Sequence, residues 1–103
     1  MEVFHLNQEI IDLINTFREE RNWNQYHNPK DLSLSLSLEA AELLENFQWI
    51  SSDEAVEKNR ENIAEELADV FIYGIQLAEE MGFDIEKIIR EKVKKNGEKY
   101  KIS

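Results

Sequence analysis

Apolar residues in the first part of the chain recur at the spacing of one face of an α-helix. The stripe is formed by Leu6, Ile10, Ile14 and Phe17, and Leu13 widens it. Asn7 precedes the stripe and is a suitable N-cap residue. The pattern predicts a first helix over about residues 7–21.

The second apolar segment is ambiguous, because Leu and Ser alternate strictly from residue 32 to 38. Alternation of this kind, taken alone, is typical of a half-buried strand. Ser and Leu are not the β-branched residues that strands favour, however, and the run continues into Glu, Ala and Leu residues with high helix propensity. With Asn28 as cap and Pro29 in the first turn, we predict one central helix over residues 29–49.

The third apolar stripe steps by four and three residues, which is a heptad pattern. It consists of Ile63, Leu67, Val70, Gly74, Leu77 and Met81. It predicts a helix over residues 53–81 that ends at Gly82, a residue suited to the C′ position. Asp84 then caps a fourth helix, predicted over residues 84–97.

Four helices with short connections predict an all-α fold, a four-helix bundle, in a single domain over residues 1–103. The chain contains three Gly, one Pro and no Cys. Few turn-forming residues favour long helices, and the lack of Cys excludes disulfides, a thiolate nucleophile and a zinc finger. The N-terminus does not resemble a signal peptide and no apolar run approaches 18 residues, so we expect a cytoplasmic protein without a membrane span.

The net charge of −10 makes the chain a poor binder of nucleic acid polymers. Its C-terminal part is nevertheless basic. Lys92, Lys95, Asn96 and Lys99 share one helix face, at spacings of three, four and seven residues. Such a face suits a clamp for phosphate groups. The alternative is that these lysines only stabilise the helix dipole.

Two pairs of carboxylates are the strongest chemical signal. Glu39 with Glu42, and Glu66 with Asp69, are three residues apart on a helix and stand among Leu, Ala and Val. If the two helices pack side by side, four carboxylates meet, and they would repel one another without a cation. Oxygen ligands without His or Cys favour Mg²⁺, with Mn²⁺ as a second choice. The alternative is ordinary surface charge on acidic helices.

A third signal is the aromatic segment before Pro29, which contains Trp23, Tyr26 and His27. A nucleobase could stack on Trp23 or on Trp49 while His27 or Gln25 contacts its edge. The alternative for these aromatic residues is that they fill the core.

Together these motifs resemble the all-α MazG-like nucleotide pyrophosphohydrolases, and most closely their small dCTP pyrophosphatase branch. The resemblance is carried by residues 39–49 and 65–70, by the aromatic segment 21–29 and by residues 92–100, so that it covers most of the chain. It implies Mg²⁺-dependent cleavage of a nucleoside triphosphate, such as dCTP, between the α- and β-phosphates. It also implies a homo-oligomer, a dimer or a dimer-of-dimers tetramer, in which two subunits build each site.

The resemblance assigns a role to each candidate residue. The metal ligands would be Glu39, Glu42, Glu66 and Asp69, and Glu39 or Glu42 would act as general base. The base and sugar pocket would contain Trp23, His27 and Trp49. The residues holding phosphates or sugar would be Tyr73, Lys92, Asn96, Lys99 and Tyr100. Two alternatives stay open, a dUTP-preferring or broad-specificity pyrophosphatase and a non-catalytic helical oligomerisation module.

Overall fold

The computed structural model describes residues 8–101, and these residues form helices and no strands. The helices are α1 Gln8–Glu20, α2 Pro29–Glu45, α3 Ser52–Lys58, α4 Arg60–Met81 and α5 Ile85–Lys99. A short 3₁₀ turn, Trp23–Tyr26, lies between α1 and α2. The predicted all-α fold is therefore confirmed, and the Leu/Ser alternation lies within a helix. Leu6 and Asn7, predicted for the first helix, lie outside the described residues.

The helix ends follow from local capping. The side chains of Asn28, Ser51 and Asp84 each accept a hydrogen bond from the backbone N–H three residues later, at 2.9, 3.2 and 3.0 Å. These bonds satisfy N–H groups that have no partner within the helix. Gly82 ends α4 with a φ of 71°, a left-handed conformation in which glycine is favoured. The caps predicted at Asn28 and Asp84 and the stop at Gly82 are confirmed.

Two predicted boundaries are wrong. The helix expected over residues 53–81 is divided at Asn59, whose φ and ψ of −112° and 19° interrupt it. The Nδ2 of Asn59 donates to the backbone oxygen of Asn46 at 2.8 Å, a tertiary contact that competes with a continuous helix. The helix expected to reach residue 49 ends at Glu45, and Trp49 has a φ of 69°.

The centre of the fold is the packing of α2 against α4. Helices α1 and α3 also contact α4. Leu32 of α2 is fully buried, and Ile75 and Ala78 of α4 are buried with it. The side of α2 that is at least partly covered includes Glu39, Leu43 and Asn46. The contact between the two long helices therefore carries polar side chains as well as apolar ones.

The last helix, α5, is not part of this packed centre. None of its residues is buried, and Ile88, Ile89 and Val93 of its apolar face are exposed. Within residues 8–101, no helix is long and apolar enough to cross a membrane.

Candidate functional site

The packing of α2 against α4 brings acidic side chains together. One carboxylate oxygen from each of Glu39, Glu42 and Glu66 lies within 4.8 Å of the other two. Asp69, one turn after Glu66, is close enough to both Glu39 and Glu66 to affect their ionisation. We call these four residues the acid cluster.

The acid cluster opposes its own ionisation. Burial, reinforced by contact with Glu42 and by the charges of Asp69 and Glu66, raises the pKa of Glu39 from its ordinary value of 4.5 to about 7. Burial, followed by the carboxylates of Glu42 and Asp69, also raises the pKa of Glu66, against a smaller opposing effect of a hydrogen bond with Glu39. The pKa of the Tyr73 phenol is raised by burial and then by the charges of Glu39, Asp69 and Glu42. Each shift has the direction expected for negative charges without a nearby cation.

The cluster fits a divalent cation. The Oε2 atoms of Glu39 and Glu66 are buried and have no hydrogen-bond partner in the described part of the chain. In residues 8–101, Lys and Arg form ion pairs with other acids and none with this cluster. Buried anionic oxygens need a compensating charge. A set of carboxylate oxygens without His or Cys suits Mg²⁺ or Mn²⁺.

Three asparagines hold α2 and α4 in register beside the acid cluster. Asn46 lies one turn after Glu42, and its Oδ1 accepts a hydrogen bond from Asn62 Nδ2 at 2.7 Å. Its backbone oxygen accepts from Asn59 Nδ2 at 2.8 Å. Because Asn62 lies one turn before Glu66, these bonds fix the position of Glu42 relative to Glu66.

A cavity of about 550 Å³ extends from the acid cluster to the aromatic segment. At one end it is lined by Glu39, Asp69 and Tyr73. The rest of its wall is formed by Leu13, Ile14, Phe17, Trp23, His27, Ile72 and Gln76. One cavity thus combines negatively charged carboxylates with a largely apolar and aromatic wall.

The aromatic end is held by Arg18. Its side chain is buried, its Nε donates to Nδ1 of His27 at 3.1 Å, and its Nη2 lies 3.6 Å from Glu80 Oε2. Burial and the charge of Arg18 lower the pKa of His27, against an opposing effect of Glu80. A neutral imidazole that accepts at Nδ1 carries its proton on Nε2. Trp23 lies between the rings of Phe17 and His27, with centroid distances of 5.4 and 6.3 Å.

The other predicted site residues do not line the cavity within the described chain. Trp49 is 97% exposed. Lys92, Asn96 and Lys99 lie on α5, and Tyr100 follows it with the Lys99 ammonium 5.3 Å from its ring. Gln25, suggested as a contact to a base, lines a separate depression with Glu19, Asn22 and Asn24.

The sequence patterns do not identify Gln76, which lines this cavity, or Arg18, which holds the cavity residue His27. Gln76 continues the spacing of Glu66, Asp69 and Tyr73 by one more step of three, so helix periodicity places it on the same face as those residues. Arg18 occupies the position four residues after Ile14, where it interrupts the apolar face of α1. A charged residue on such a face is a signal for a buried polar interaction.

Comparison with known proteins identifies a family and several relatives of the chain. The model of the MazG-like family matches residues 34–103. The chain is 36% identical to dCTP pyrophosphatase 1 of Rattus norvegicus over 100 residues, covering 92% of the chain and 59% of that protein. It is 35% identical to dCTP pyrophosphatase 1 of Homo sapiens over 98 residues, covering 90% of the chain and 58% of that protein. The chain thus spans under two thirds of the length of these curated relatives.

A solved structure resembles the chain over almost its whole length. The crystal structure of a pyrophosphatase from Archaeoglobus fulgidus superposes with a TM-score of 0.88 at 38% sequence identity. The match covers 98% of this chain and 100% of that one. With this likeness and the family match over residues 34–103, the chain belongs to the MazG-like family.

Proposed function

We propose that the chain is a Mg²⁺-dependent nucleoside triphosphate pyrophosphohydrolase. It cleaves the anhydride bond between the α- and β-phosphates and releases a nucleoside monophosphate and pyrophosphate. The observation that carries this proposal is one cavity that joins the acid cluster, through Glu39 and Asp69, to a wall that includes the aromatic ring of Trp23. The relatives named dCTP pyrophosphatase 1 make dCTP, or a related deoxynucleotide, the first substrate to test.

The acid cluster would hold the cation through Glu39, Glu42, Glu66 and Asp69. When bound, Mg²⁺ neutralises phosphate charge and polarises the phosphorus–oxygen bonds. Mn²⁺ has the same preference for oxygen ligands and is the second cation to test. The unpaired oxygens of Glu39 and Glu66 support this assignment, because a cation would satisfy both.

The remaining chemistry is cleavage of the anhydride bond and transfer of a proton. Water attacks the α-phosphorus in line, the bond from that phosphorus to the bridging oxygen breaks, and pyrophosphate leaves. Glu39 or Glu42 accepts the proton of the attacking water as general base. At the other end of the cavity, Trp23 stacks on the base, with His27 beside it.

The rest of the predicted site would come from a second subunit. Trp49, Lys92, Asn96, Lys99 and Tyr100 lie outside the cavity of the chain that carries the acids. The apolar face of α5 is uncovered, as are large apolar residues elsewhere. We therefore propose a homo-oligomer, a dimer or a tetramer, in which α5 of one subunit brings its Lys face to the phosphates bound by another. The enzyme would act in the cytoplasm, where free nucleoside triphosphates are found.

The test is a panel of ribo- and deoxynucleoside triphosphates incubated with Mg²⁺, with pyrophosphate and orthophosphate measured separately. The proposal predicts pyrophosphate and a nucleoside monophosphate from at least one member. Equal release from dCTP and dUTP would support the broad-specificity alternative. Orthophosphate alone would contradict the assigned bond, and no product from any member would favour the non-catalytic module.

A further inference from the structure

The wall of the cavity contains a buried amide. Gln76, on α4, is 4% exposed, and its buried Oε1 has no hydrogen-bond partner among residues 8–101. The same residue lines the cavity. Buried polar atoms are almost always paired in folded proteins, so an unpaired one in the wall of a cavity is a candidate contact for a bound ligand.

The position of Gln76 suits contact with a base. It lies seven residues after Asp69 on the same helix face, with Tyr73 between them, so it is about 10 Å from Asp69 along the helix axis. The surrounding wall includes Phe17 and Trp23, which are aromatic. An amide at this distance from the acid cluster lies where a nucleotide with its phosphates at the cluster would place its base.

His27 supplies a complementary group in the same cavity. Its Nδ1 accepts from Arg18 Nε at 3.1 Å, which leaves a proton on Nε2 as a donor. The buried Arg18 is itself held by Glu80, so the ring orientation is fixed from behind. The cavity thus offers a fixed N–H donor at His27 and a free acceptor at Gln76.

We propose that Gln76 determines the base preference of the cavity by accepting a hydrogen bond from an N–H group on a pyrimidine edge. The inference rests on the proposed function, which makes the ligand a pyrimidine nucleoside triphosphate. Cytosine presents its amino group beside the acceptor N3, and uracil presents N3–H beside the acceptor O4. With the base in one orientation, cytosine directs its amino group to Gln76 and its N3 to the N–H of His27, whereas uracil places O4 against Gln76 and N3–H against His27. The pair therefore favours cytosine, and the substrate panel tests that preference.

The test replaces Gln76 with Leu, with Gln76→Met as a second apolar variant and Gln8→Leu as the matched control. Gln8 is exposed on α1, away from the cavity, where its amide contacts Asp12. The measurements are kcat and KM for pyrophosphate release from dCTP, dUTP and dTTP, together with thermal melts. The same proteins are titrated with α,β-imido analogues of dCTP and dUTP, which bind without being cleaved.

We expect Gln76→Leu to lower kcat/KM for the preferred nucleotide by about 10- to 100-fold, mainly through KM, because the N–H of the base loses its partner. The preference between cytosine and uracil should fall with it. The melting temperature should stay the same or rise, because the variant removes an unpaired buried polar group. A residue with only a structural role would not give lost discrimination with retained stability.

The outcomes separate this inference from the proposed function. Pyrophosphate release with an unchanged base preference in both apolar variants would overturn the role of Gln76 and leave the function standing. If the imido analogues bind with a preference that depends on Gln76 but no nucleotide yields pyrophosphate, the proposed function is overturned and the role of Gln76 stands. A wild-type protein that binds cytosine and uracil analogues equally would also overturn the inference.

Discussion

Glu39 is the residue whose environment most directly reflects the proposed chemistry. One of its oxygens is buried without a partner, and its pKa is raised to about 7 by burial and by the neighbouring acids. Such a group is partly protonated at neutral pH and would release its proton when a cation binds. Proton and cation therefore compete for the same carboxylates.

This competition predicts a pH-dependent stability without metal. Between the ordinary pKa of 4.5 and the folded value of about 7, the folded chain binds more protons at Glu39 than the unfolded chain does. The contribution of Glu39 to the free energy of unfolding is thus full at low pH and is lost as pH rises towards about 8. Urea unfolding in EDTA, from pH 5 to 8, measures it.

Comparison with Glu39→Gln isolates the contribution of Glu39 to the free energy of unfolding, because the contribution of His27 changes with pH in the opposite direction. The pKa of His27 is lowered in the folded chain, so its contribution grows as pH rises. The free energy of unfolding of the wild type should decline with pH relative to that of Glu39→Gln, and saturating Mg²⁺ should reduce this difference. Parallel pH profiles in EDTA would show that Glu39 does not titrate in this way.

At the scale of the helices, the sequence predicts the carboxylate pairs but not the tertiary contacts that hold them in place. Spacing alone places Glu39 with Glu42, and Glu66 with Asp69, because helix periodicity is a local property. The break at Asn59 depends on a hydrogen bond to Asn46, thirteen residues away in sequence, which no local pattern contains. The position of α5 outside the cavity likewise depends on tertiary packing, which helix periodicity does not specify.

The asparagine contacts predict that stability and cation affinity change together. Asn46→Ala removes the acceptor of Asn62 Nδ2 and should lower the free energy of unfolding by about 1–3 kcal/mol. It should also weaken Mn²⁺ binding by about 10- to 100-fold, as the loss of outer-shell partners commonly does. Urea unfolding and calorimetric Mn²⁺ titration measure the two effects.

The control for this prediction is Ser37→Ala, on an exposed position of α2. It should leave both quantities within error of the wild type. An Asn46→Ala protein that unfolds more easily but binds Mn²⁺ with unchanged affinity would show that the asparagines stabilise the helices without positioning the acids.

At the scale of the whole molecule, more of the large apolar residues in the described part are exposed than are buried in its small core. Ile14, Leu32, Ala55, Ile75 and Ala78 are the buried apolar residues of the described part. Leu38 of α2 and Val93 of α5 are 65% and 64% exposed, and Phe71 of α4 is exposed as well. Large exposed apolar residues on several helices indicate a surface that a partner covers, which supports the proposed oligomer.

Shared sites predict complementation between inactive variants. Glu66→Gln removes an acid from one subunit, and Lys99→Ala removes a cation that we assign to the neighbouring site. Each variant alone should show little pyrophosphate release. Mixed by unfolding and refolding together, they should recover about a quarter of wild-type activity, the share expected from random pairing in a two-fold assembly.

Sedimentation velocity accompanies this experiment and should show a dimer or a tetramer. If refolded mixtures of the two variants stay as inactive as the separate proteins, the lysine does not act across a subunit boundary. A wild-type monomer with full activity would contradict the shared site directly.

The most direct test of the metal-centred account is a Mg²⁺ titration of pyrophosphate release from dCTP, or from the best nucleotide of the panel. Wild type is compared with Glu66→Gln and with Glu65→Gln, an exposed neighbour on the same helix. We expect the rate of pyrophosphate release to depend saturably on Mg²⁺ in wild type and in Glu65→Gln. In Glu66→Gln the rate should fall by more than about 100-fold, which exceeds the usual effect of losing a residue that only supports a metal ligand. Equal rates in all three proteins, or release that is unaffected by EDTA, would contradict it.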